Sequence, residues 1–394
     1  MKKILVFDKK LPLKNTGGPG GYLWNLHTYL TQNRTEVNST IQFYSDVIGG
    51  KDNGLAVFFD KVIKFILAKF RLINLAKFYS IFYSSGSLNQ EEIDRITTYD
   101  FVHIHDLTSM RAYGEKIKRN GTKIIYTTHT PELMVDEAIG GSVTLSAIFR
   151  TFNFLRRVYA KKELKAYELA DYIMFPVRGV EDCYIRDFSF MRTFFDNAQN
   201  IIYTPTAILD SQLSLNENIL GKHNIPKSSK IICYVGRHNE VKGYYYLKEI
   251  ATILLSKRSD IYFIIGGSIG SAEPLLNKNW IELGWVNTQQ LLSEVDCFIL
   301  PNQQTYFDII ALEVLRSGVP LVTTRTGGNK YFESLEDNAV QYIPTSDANA
   351  AAVLLEKIVS DNIKEKGQKC REMYRKYFTF DSYVRKYLDN INSL

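Results

Sequence analysis

The sequence lacks the features that mark membrane-spanning, secreted or disulfide-bonded proteins. None of its apolar runs reaches the roughly 18 residues of a transmembrane helix, and the run at the basic N-terminus is too short for a signal peptide. The four cysteines form no Cys-x-x-Cys pair, so we expect them to be small buried residues in a reducing compartment. These absences predict a cytoplasmic protein.

Signatures of several ligands are missing as well. No helix-turn-helix, zinc-finger or RNP motif occurs, so nucleic acid is not an expected partner. The glycine-rich stretch at residues 16–22 is not a Walker loop, because no Gly-Lys-Ser/Thr follows it. The formal net charge is only +6, from 48 basic and 42 acidic residues. This mild excess is compatible with an anionic partner such as a nucleotide, a polyphosphate or a membrane surface.

Apolar segments of strand length alternate with helical segments along the chain, and 45% of the residues are hydrophobic. Several strand segments are uninterrupted apolar runs, as expected for strands covered on both faces. The predicted strands are residues 4–7, 41–44, 101–104, 123–127, 172–175, 201–203, 231–235, 261–265, 281–283, 297–300 and 321–323. The pattern predicts an α/β fold with parallel sheets.

The strand pattern runs twice, which predicts two doubly wound domains. A polar segment, NENILGKHNIPKSSK, separates the two sets of strands. We place the first domain at residues 1–205 and the second at 206–375, followed at 376–394 by a helix that packs back on the first domain. Such folds bind ligands at the carboxyl ends of their strands, here in a cleft between the domains.

The stretch YVGRHNEVKG, residues 234–243, places two cations beside glycines at the end of a predicted strand. A tight turn at Gly236 that leads into a helix exposes backbone N–H groups, and Arg237 and Lys242 add positive charge. A diphosphate is the natural partner, with arginine supplying a fork and lysine a point charge. The alternative is a pair of solvated basic residues in a surface turn.

A second stretch, TYFDIIALEVLRSGVPLVTTRTGG at residues 305–328, follows another predicted strand. Asp308 is placed to cap the helix that begins at Ile309. Glu313 lies one turn further and could hold two vicinal hydroxyls of a ribose, although most glutamates face solvent.

Together the two stretches resemble the nucleotide-sugar site of retaining GT-B glycosyltransferases, which are family 4 of the glycosyltransferases and belong to the glycosyl transferases group 1. The resemblance covers nearly the whole chain and implies a GT-B fold of two Rossmann-like domains facing across a cleft. It implies that Arg237 and Lys242 bind the donor diphosphate during catalysis and that Glu313 holds the ribose. Further donor contacts are implied for Gly236, Thr305, Phe307, Asp308 and Ile309.

Two positions depart from the family pattern. Glu313 matches the second glutamate of the family's Glu-x7-Glu motif, but the first falls on Thr305. Asp308 stands where the family usually has glycine, in a turn whose backbone amides face the sugar, and could contact a sugar hydroxyl. These differences leave the identity of the donor sugar open.

Motifs in the first domain extend the resemblance. TGGPGGY, at residues 16–22, resembles the glycine loop that lies by the donor phosphates and the acceptor; the alternative is a flexible connection. The glycines concerned are Gly17, Gly18, Gly20 and Gly21. His129, in IYTTHTPEL, matches the histidine that contacts the donor sugar, although a structural histidine is commoner at such a position.

A metal site is not predicted. His103 and His105, in VHIHD, share one face of a strand, but no third ligand is evident. Asp-x-Asp, the signature of metal-dependent glycosyltransferases, does not occur. Arg237 and Lys242 would therefore neutralise the departing diphosphate, and no cofactor besides the donor substrate is expected.

Residues 55–83 are rich in phenylalanine, leucine and isoleucine, interleaved with basic residues, and Asp60 is the only acid among them. This composition is typical of a helix on an anionic membrane surface; a buried helix with snorkelling lysine stems is the alternative. RTFNFLRRVYAKKELK, from Arg150, repeats the basic-aromatic character. Together they favour a lipid-linked acceptor at the inner leaflet, and thus a cytoplasmic enzyme peripheral to the membrane.

The sequence as a whole predicts a metal-independent, retaining hexosyl- or related glycosyltransferase. It would move a sugar from a nucleotide diphosphate-sugar, UDP-sugar by preference, to a glycan or lipid-linked saccharide in bacterial surface polysaccharide or glycoconjugate synthesis. No enzymic nucleophile is evident, which fits a front-face route in which the departing phosphate helps to take the acceptor proton. A non-catalytic GT-B partner that binds glycan or a companion transferase is the alternative. A GT-B epimerase is disfavoured, because no added acid/base pair is seen.

Overall fold

Two six-stranded parallel sheets organise the chain in a computed structural model. The structure describes residues 2–8, 18–33, 40–49, 55–70, 72, 75–76, 79, 83, 86–139, 147–148, 151–210, 218–268, 272–335 and 338–394. A first unit comprises Met1–Phe175, Glu181–Thr204 and Lys386–Leu394, and a second unit comprises Pro176–Val180 and Pro205–Arg385. The sequence placed the corresponding changes after residues 205 and 375, whereas the structure has the last change inside the C-terminal helix.

The sheet of the first unit has the strand order β2-β1-β3-β4-β5-β6, and every pair is parallel. Its strands are β1 (Ile4–Phe7), β2 (Ile41–Phe43), β3 (Phe101–Ile104), β4 (Lys123–Tyr126), β5 (Tyr172–Phe175) and β6 (Ile201–Tyr203). All residues of β1 and β3 are buried, as expected for central strands covered on both faces. The strand order reverses between β1 and β3, and ligands of doubly wound sheets bind at such a reversal.

Helices of the first unit follow its strands. They are α1 (Gly18–Gln32), α2 (Tyr44–Val47), α3 (Leu55–Lys69), α4 (Gln90–Ile96), α5 (Leu107–Arg119), α6 (Met134–Ile139), α7 (Asn153–Leu169), α8 (Asp182–Ile185) and α9 (Ser189–Asn197). Local sequence sets several of the boundaries. Asn89 and Glu92 form a capping box at the start of α4, and the Asp106 carboxylate accepts the Ser109 N–H at the start of α5.

The second unit repeats the architecture with the strand order β12-β11-β10-β7-β8-β9, again all parallel. Its strands are β7 (Lys230–Val235), β8 (Ile261–Gly266), β9 (Trp280–Gly284), β10 (Cys297–Leu300), β11 (Leu321–Thr324) and β12 (Gln341–Ile343). Its helices are α10 (Tyr244–Lys257), α11 (Thr288–Leu292), α12 (Ile309–Ser317), α13 (Ala348–Ser360) and α14 (Ile363–Tyr377), and α15 (Phe380–Asn392) ends the chain. The strand order reverses between β7 and β10.

The predicted α/β class, with two Rossmann-like doubly wound units, is confirmed. The eleven predicted strands match β1 to β11, with ends that differ by at most one residue. The sequence missed β12, a three-residue edge strand that is only partly buried and therefore lacks a continuous apolar run. The four cysteines are buried and unpaired, as expected.

The expected glycine loop of the first unit needs correction. Gly18, Gly20 and Gly21 lie in the first turn of α1 instead of in a loop, where Pro19 is tolerated because its missing N–H would have no partner within the helix. Gly17 lies outside the described residues. Among the described residues, no helix combines the length and the apolar character needed to cross a membrane.

Candidate functional site

The two sequence motifs of the second unit lie side by side where its strand order reverses. β7 and β10 are neighbours in the sheet, and the loops that follow them are residues 236–243 and 301–308. Because parallel strands end at the same edge, these loops share one edge of the sheet, which is the usual ligand position in doubly wound folds. Sequence reasoning predicted both loops but not their contact.

Backbone contacts join the two loops. The Val241 carbonyl oxygen accepts the N–H groups of Gln303, at 2.9 Å, and Gln304, at 3.2 Å. Gly243 has φ 70° and lies so close to Pro301 that a Cβ would come within 1.8 Å of its carbonyl oxygen. Only glycine combines this left-handed conformation with this approach, so the sequence VKG fixes the path of the loop.

An ion pair links the loops at the level of the side chains. Lys242 Nζ lies 2.5 Å from Asp308 Oδ1, and the two side chains are 15% and 14% exposed. The other carboxylate oxygen of Asp308 accepts a hydrogen bond from Asn302 Nδ2 at 2.6 Å. Both charges were predicted from the sequence, but Asn302 was missed, although a polar residue just past the end of a buried parallel strand is a signal for this edge.

Thr305 is a structural residue of the second loop. It is fully buried, and its hydroxyl oxygen is 3.0 Å from Asn302 Nδ2 and 3.3 Å from Asn329 Nδ2. Its carbonyl oxygen accepts the N–H of Gly328 at 3.1 Å. The Thr305 side chain is thus directed into a buried hydrogen-bond network, and its contact with a donor stays a prediction.

Asp308 does not cap α12 as the sequence predicted. It occupies the N-cap position before Ile309, but its side chain makes no capping hydrogen bond. The pair with Lys242 directs the carboxylate away from the helix amides instead. The first-turn N–H groups are thus not used by this side chain, and a helix N-terminus in this state attracts anions.

Arg237 is exposed, and a buried side chain holds its backbone carbonyl group. The hydroxyl of the buried Tyr234 donates to the Arg237 carbonyl oxygen at 2.8 Å. The next residue, His238, is buried, and its ring stacks on Tyr244 with 4.2 Å between centroids. Burial lowers the pKa of His238, because it disfavours the charged form of the ring. Tyr234 and His238 were not recognised in the sequence.

Glu313 and Phe307 have different surroundings. Glu313 lies on α12 and is partly buried, and burial raises the pKa of its carboxyl group. The Phe307 ring is buried and packs on Phe332, with 5.5 Å between centroids. This apolar packing anchors the loop, and a contact of Phe307 with a donor stays a prediction.

In the first unit, His129 lies close to two aromatic side chains, those of His105 and Tyr22. His129 Nε2 is 3.1 Å from Nδ1 of His105, and the Tyr22 ring of α1 lies 5.1 Å from that of His129. Burial lowers the pKa of His129 to about 4 and that of His105 well below its usual value. Neutral His129 can donate or accept a hydrogen bond but carries no charge at neutral pH.

His103 belongs to a satisfied structural network. The Thr127 hydroxyl donates to the Met174 carbonyl oxygen at 2.8 Å, so it accepts the His103 Nε2–H at 2.8 Å. Burial lowers the pKa of His103 to about 3, and the neutral ring accepts the Tyr387 hydroxyl at Nδ1 over 2.8 Å. His103 therefore fastens the end of α15 to β3. Within the described part of the chain, no group of three or more metal-binding residues occurs.

Comparison with known proteins supports the resemblance drawn from these motifs. Residues 216–377 match the family described as Glycosyl transferases group 1, and this segment contains both loops. The match covers most of the second unit. The predicted resemblance to the glycosyl transferases group 1 is confirmed.

Individual relatives are distant. An "Uncharacterized 41.2 kDa protein in cps region" of Klebsiella pneumoniae is 24% identical over 73% of this chain and 78% of its own length. The "Lipopolysaccharide core biosynthesis glycosyltransferase LpsE" of Rhizobium meliloti is 26% identical over 36% of this chain and 43% of its own. Anabaena Alr3699/HepE, solved in complex with UDP-glucose, has 12% identity and a TM-score of 0.61 over the whole of both chains. The structural likeness confirms the GT-B fold.

Proposed function

We propose that the protein is a metal-independent, retaining glycosyltransferase that uses a nucleotide diphosphate-sugar, with a UDP-hexose as the first candidate. The observation that carries the proposal is the convergence of Arg237, Lys242 and the start of α12 at the reversal of strand order in the second unit. Cations beside a helix N-terminus that has no side-chain cap suit a diphosphate. UDP-glucose in HepE supports uridine as the base to test first.

In this proposal, Lys242, Arg237 and the first-turn amides of α12 hold the diphosphate. Negative charge grows on the diphosphate as the bond to the sugar breaks, so these groups stabilise the transition state more than the ground state. Glu313 binds the ribose hydroxyls. Neutral His129 and the glycines of α1 are the candidates in the first unit for contacts to the sugar and the acceptor.

We also propose an acceptor linked to lipid, in surface polysaccharide or glycoconjugate synthesis. The Rhizobium relative, which by its name acts in lipopolysaccharide core biosynthesis, supports this class of product. The exposed apolar side chains of α3 support a location at the inner face of the membrane: Phe58 is 60% exposed and Phe65 is 66% exposed. Nearby lysines would favour anionic lipid.

A transfer assay tests the proposal. The protein is incubated with UDP-, GDP-, ADP- and dTDP-hexoses and with bacterial lipid-linked saccharides, with and without EDTA. We expect one donor to be consumed equally well in both conditions, and the α-configured donor to give an α-linked product by NMR. A β-linked product would overturn retention, and loss of activity in EDTA would overturn metal independence.

A non-catalytic GT-B partner is the second candidate, and the burial of Thr305 favours it. Thr305 stands where the family pattern has its first glutamate. It offers no carboxylate, and its side chain is directed into the core. Such a partner would bind glycan or a companion transferase and leave every donor intact. The same assay, with no donor consumed and no nucleotide bound, would support this candidate.

A further inference from the structure

The lysine assigned to the diphosphate already has an anionic partner. Lys242 and Asp308 are 2.5 Å apart and both mostly buried, so their contact is not a solvated surface pair. A carboxylate and a phosphate oxygen are both strong partners for an ammonium group. Asp308 must therefore either release Lys242 or share it when a diphosphate binds.

The carboxylate of Asp308 is held in place from a second side. Asn302 Nδ2 donates to Asp308 Oδ2 at 2.6 Å and lies 3.0 Å from the Thr305 hydroxyl. Asn302 is itself completely buried, which fixes its amide. The negative charge consequently stays at this position even if Lys242 turns towards a ligand.

The position of this charge places it next to any anion bound at α12. Asp308 directly precedes Ile309, where the helix begins, and its side chain does not use the first-turn amides. An anion that binds those amides and Lys242 therefore lies beside a fixed carboxylate. The cost of that repulsion rises with the charge of the anion.

We propose that Asp308 is a specificity-determining residue that favours a sugar-loaded nucleoside diphosphate over the free nucleoside diphosphate. This inference rests on the proposed function. A free terminal phosphate carries about −1.5 to −2 charges at neutral pH, as phosphomonoesters do, whereas a phosphate joined to a sugar carries one. The sugar also brings hydroxyl groups that can donate to the carboxylate. Both effects disfavour the free nucleotide, and after transfer they would assist its release.

Calorimetric titration with UDP and with UDP-glucose tests the inference, and the matching GDP, ADP and dTDP pairs are used in the same way. For each pair, the quantity is the dissociation constant of the free nucleotide divided by that of the sugar nucleotide. Asp308→Asn preserves the shape of the side chain and removes its charge. We expect this ratio to fall about tenfold, chiefly because the free nucleotide binds more tightly.

Asp361→Asn is the matched control, because Asp361 and Lys366 also form a 2.5 Å pair in the second unit, with Asp361 exposed. We expect its ratio to equal that of the wild type. Asp308→Gly serves if Asp308→Asn does not fold, since glycine is tolerated at an N-cap. A wild-type ratio retained in a folded Asp308 variant overturns the inference alone. A wild-type protein that binds none of the nucleotides overturns the proposed function as well.

Discussion

Buried ionisable side chains divide into groups with a structural role and groups directed to the candidate site. His103 has a partner at each ring nitrogen and fastens α15 to the sheet, whereas Lys242 and Asp308 share a pair at the ligand edge of the second unit. Residue type does not separate the two roles. The surroundings do, because His103 lies in β3 and bonds to Tyr387 of α15, whereas Lys242 and Asp308 lie in loops at the carboxyl ends of β7 and β10.

The buried histidines predict a loss of stability in acid. The pKa of His103 is about 3 in the folded protein and about 6.5 in the unfolded chain, so the unfolded chain binds more protons between those values. Its contribution to the free energy of unfolding is complete above pH 6.5 and falls as the pH drops towards 3. The contribution of His129 to the free energy of unfolding also falls in acid. Burial raises the pKa of Glu163 to about 8, so its contribution changes in the opposite direction and falls as the pH rises from about 4.5 to 8.

Urea unfolding of the wild type and of His103→Gln between pH 7 and pH 5 checks this prediction. The variant lacks the titrating ring, so the destabilisation it causes should shrink by about 1–2 kcal/mol between pH 7 and pH 5. Wild-type and variant curves that stay parallel over this range would refute the assigned pKa.

Residue types and their spacing were sufficient to predict Arg237, Lys242 and Glu313 as site candidates, because the motif fixes their order along the chain. The burial and packing of the Thr305 and Phe307 side chains could not be predicted in the same way. Both lie in a loop whose path depends on Asn302, Asn329 and the apolar core beneath it, and those partners come from other parts of the sequence. The pairing of Lys242 with Asp308 likewise requires knowledge that β7 and β10 are neighbours.

At the scale of elements, the loop after β7 depends on a glycine in the left-handed region. Gly243 has φ 70°, and a Cβ there would come within 1.8 Å of the Pro301 carbonyl oxygen. Gly284 has a similar φ of 67°, but a Cβ there would meet no atom within 4 Å. An alanine at either position would be forced into the left-handed region. Only at Gly243 would its Cβ also clash with another residue.

Alanine variants of these glycines separate the two costs. Gly284→Ala should lower the free energy of unfolding by about 1–2 kcal/mol, the cost of a left-handed alanine. Gly243→Ala should cost clearly more, because one of the two loops must also move, and it should weaken nucleotide binding. Chemical denaturation of both variants gives the comparison. Equal losses would show that the loop can adapt to the added methyl group.

Helix α3 exposes an amount of apolar surface that is unusual for a helix in water. Phe58, Phe59 and Phe65 are each more than half exposed, and Asp60, its only acid, pairs with Lys64 at 2.9 Å. The composition of residues 55–83 predicted an amphipathic surface or a buried helix; exposure of the described side chains favours the surface. The described part of α3 therefore carries the proposed contact with lipid.

Sedimentation with vesicles tests this contact. The wild type should bind vesicles that contain anionic phosphatidylglycerol more strongly than vesicles of phosphatidylcholine alone, and added salt should weaken the binding. Phe58→Gln combined with Phe65→Gln should reduce binding at least about tenfold, given the apolar area removed. Trp285→Gln, at an 86% exposed aromatic of the second unit, should bind as the wild type does. Equal binding by all three proteins would exclude α3 as the membrane contact.

At the scale of the whole molecule, the sequence predicted the fold well because the repeated strand pattern is a local signal that occurs twice. Several central strands, such as β1 and β10, are short apolar runs, and the strand pairs in both sheets are parallel. The edge strand β12 escaped notice because Gln341 begins it, so its three residues form no continuous apolar run. Contacts that join distant segments, such as Tyr387 with His103, have no local signal in the sequence.

The proposed function requires that the second unit binds a nucleoside diphosphate-sugar through Lys242. The most direct measurement is the melting temperature of the wild type, Lys242→Ala and Lys366→Ala across UDP-, GDP-, ADP- and dTDP-hexoses. A ligand that binds only the folded state stabilises it by about 2.7 kcal/mol at a hundred times its dissociation constant. Loss of a buried charge contact should weaken binding by about 2–5 kcal/mol.

We predict that one class of nucleotide sugar raises the melting temperature of the wild type and of Lys366→Ala, whose lysine pairs with Asp361 away from the two loops. Lys242→Ala should show little or no shift at the same concentration. An equal shift in all three proteins would contradict the role of Lys242. No shift in the wild type with any of the four classes would contradict the donor site itself and favour the non-catalytic partner.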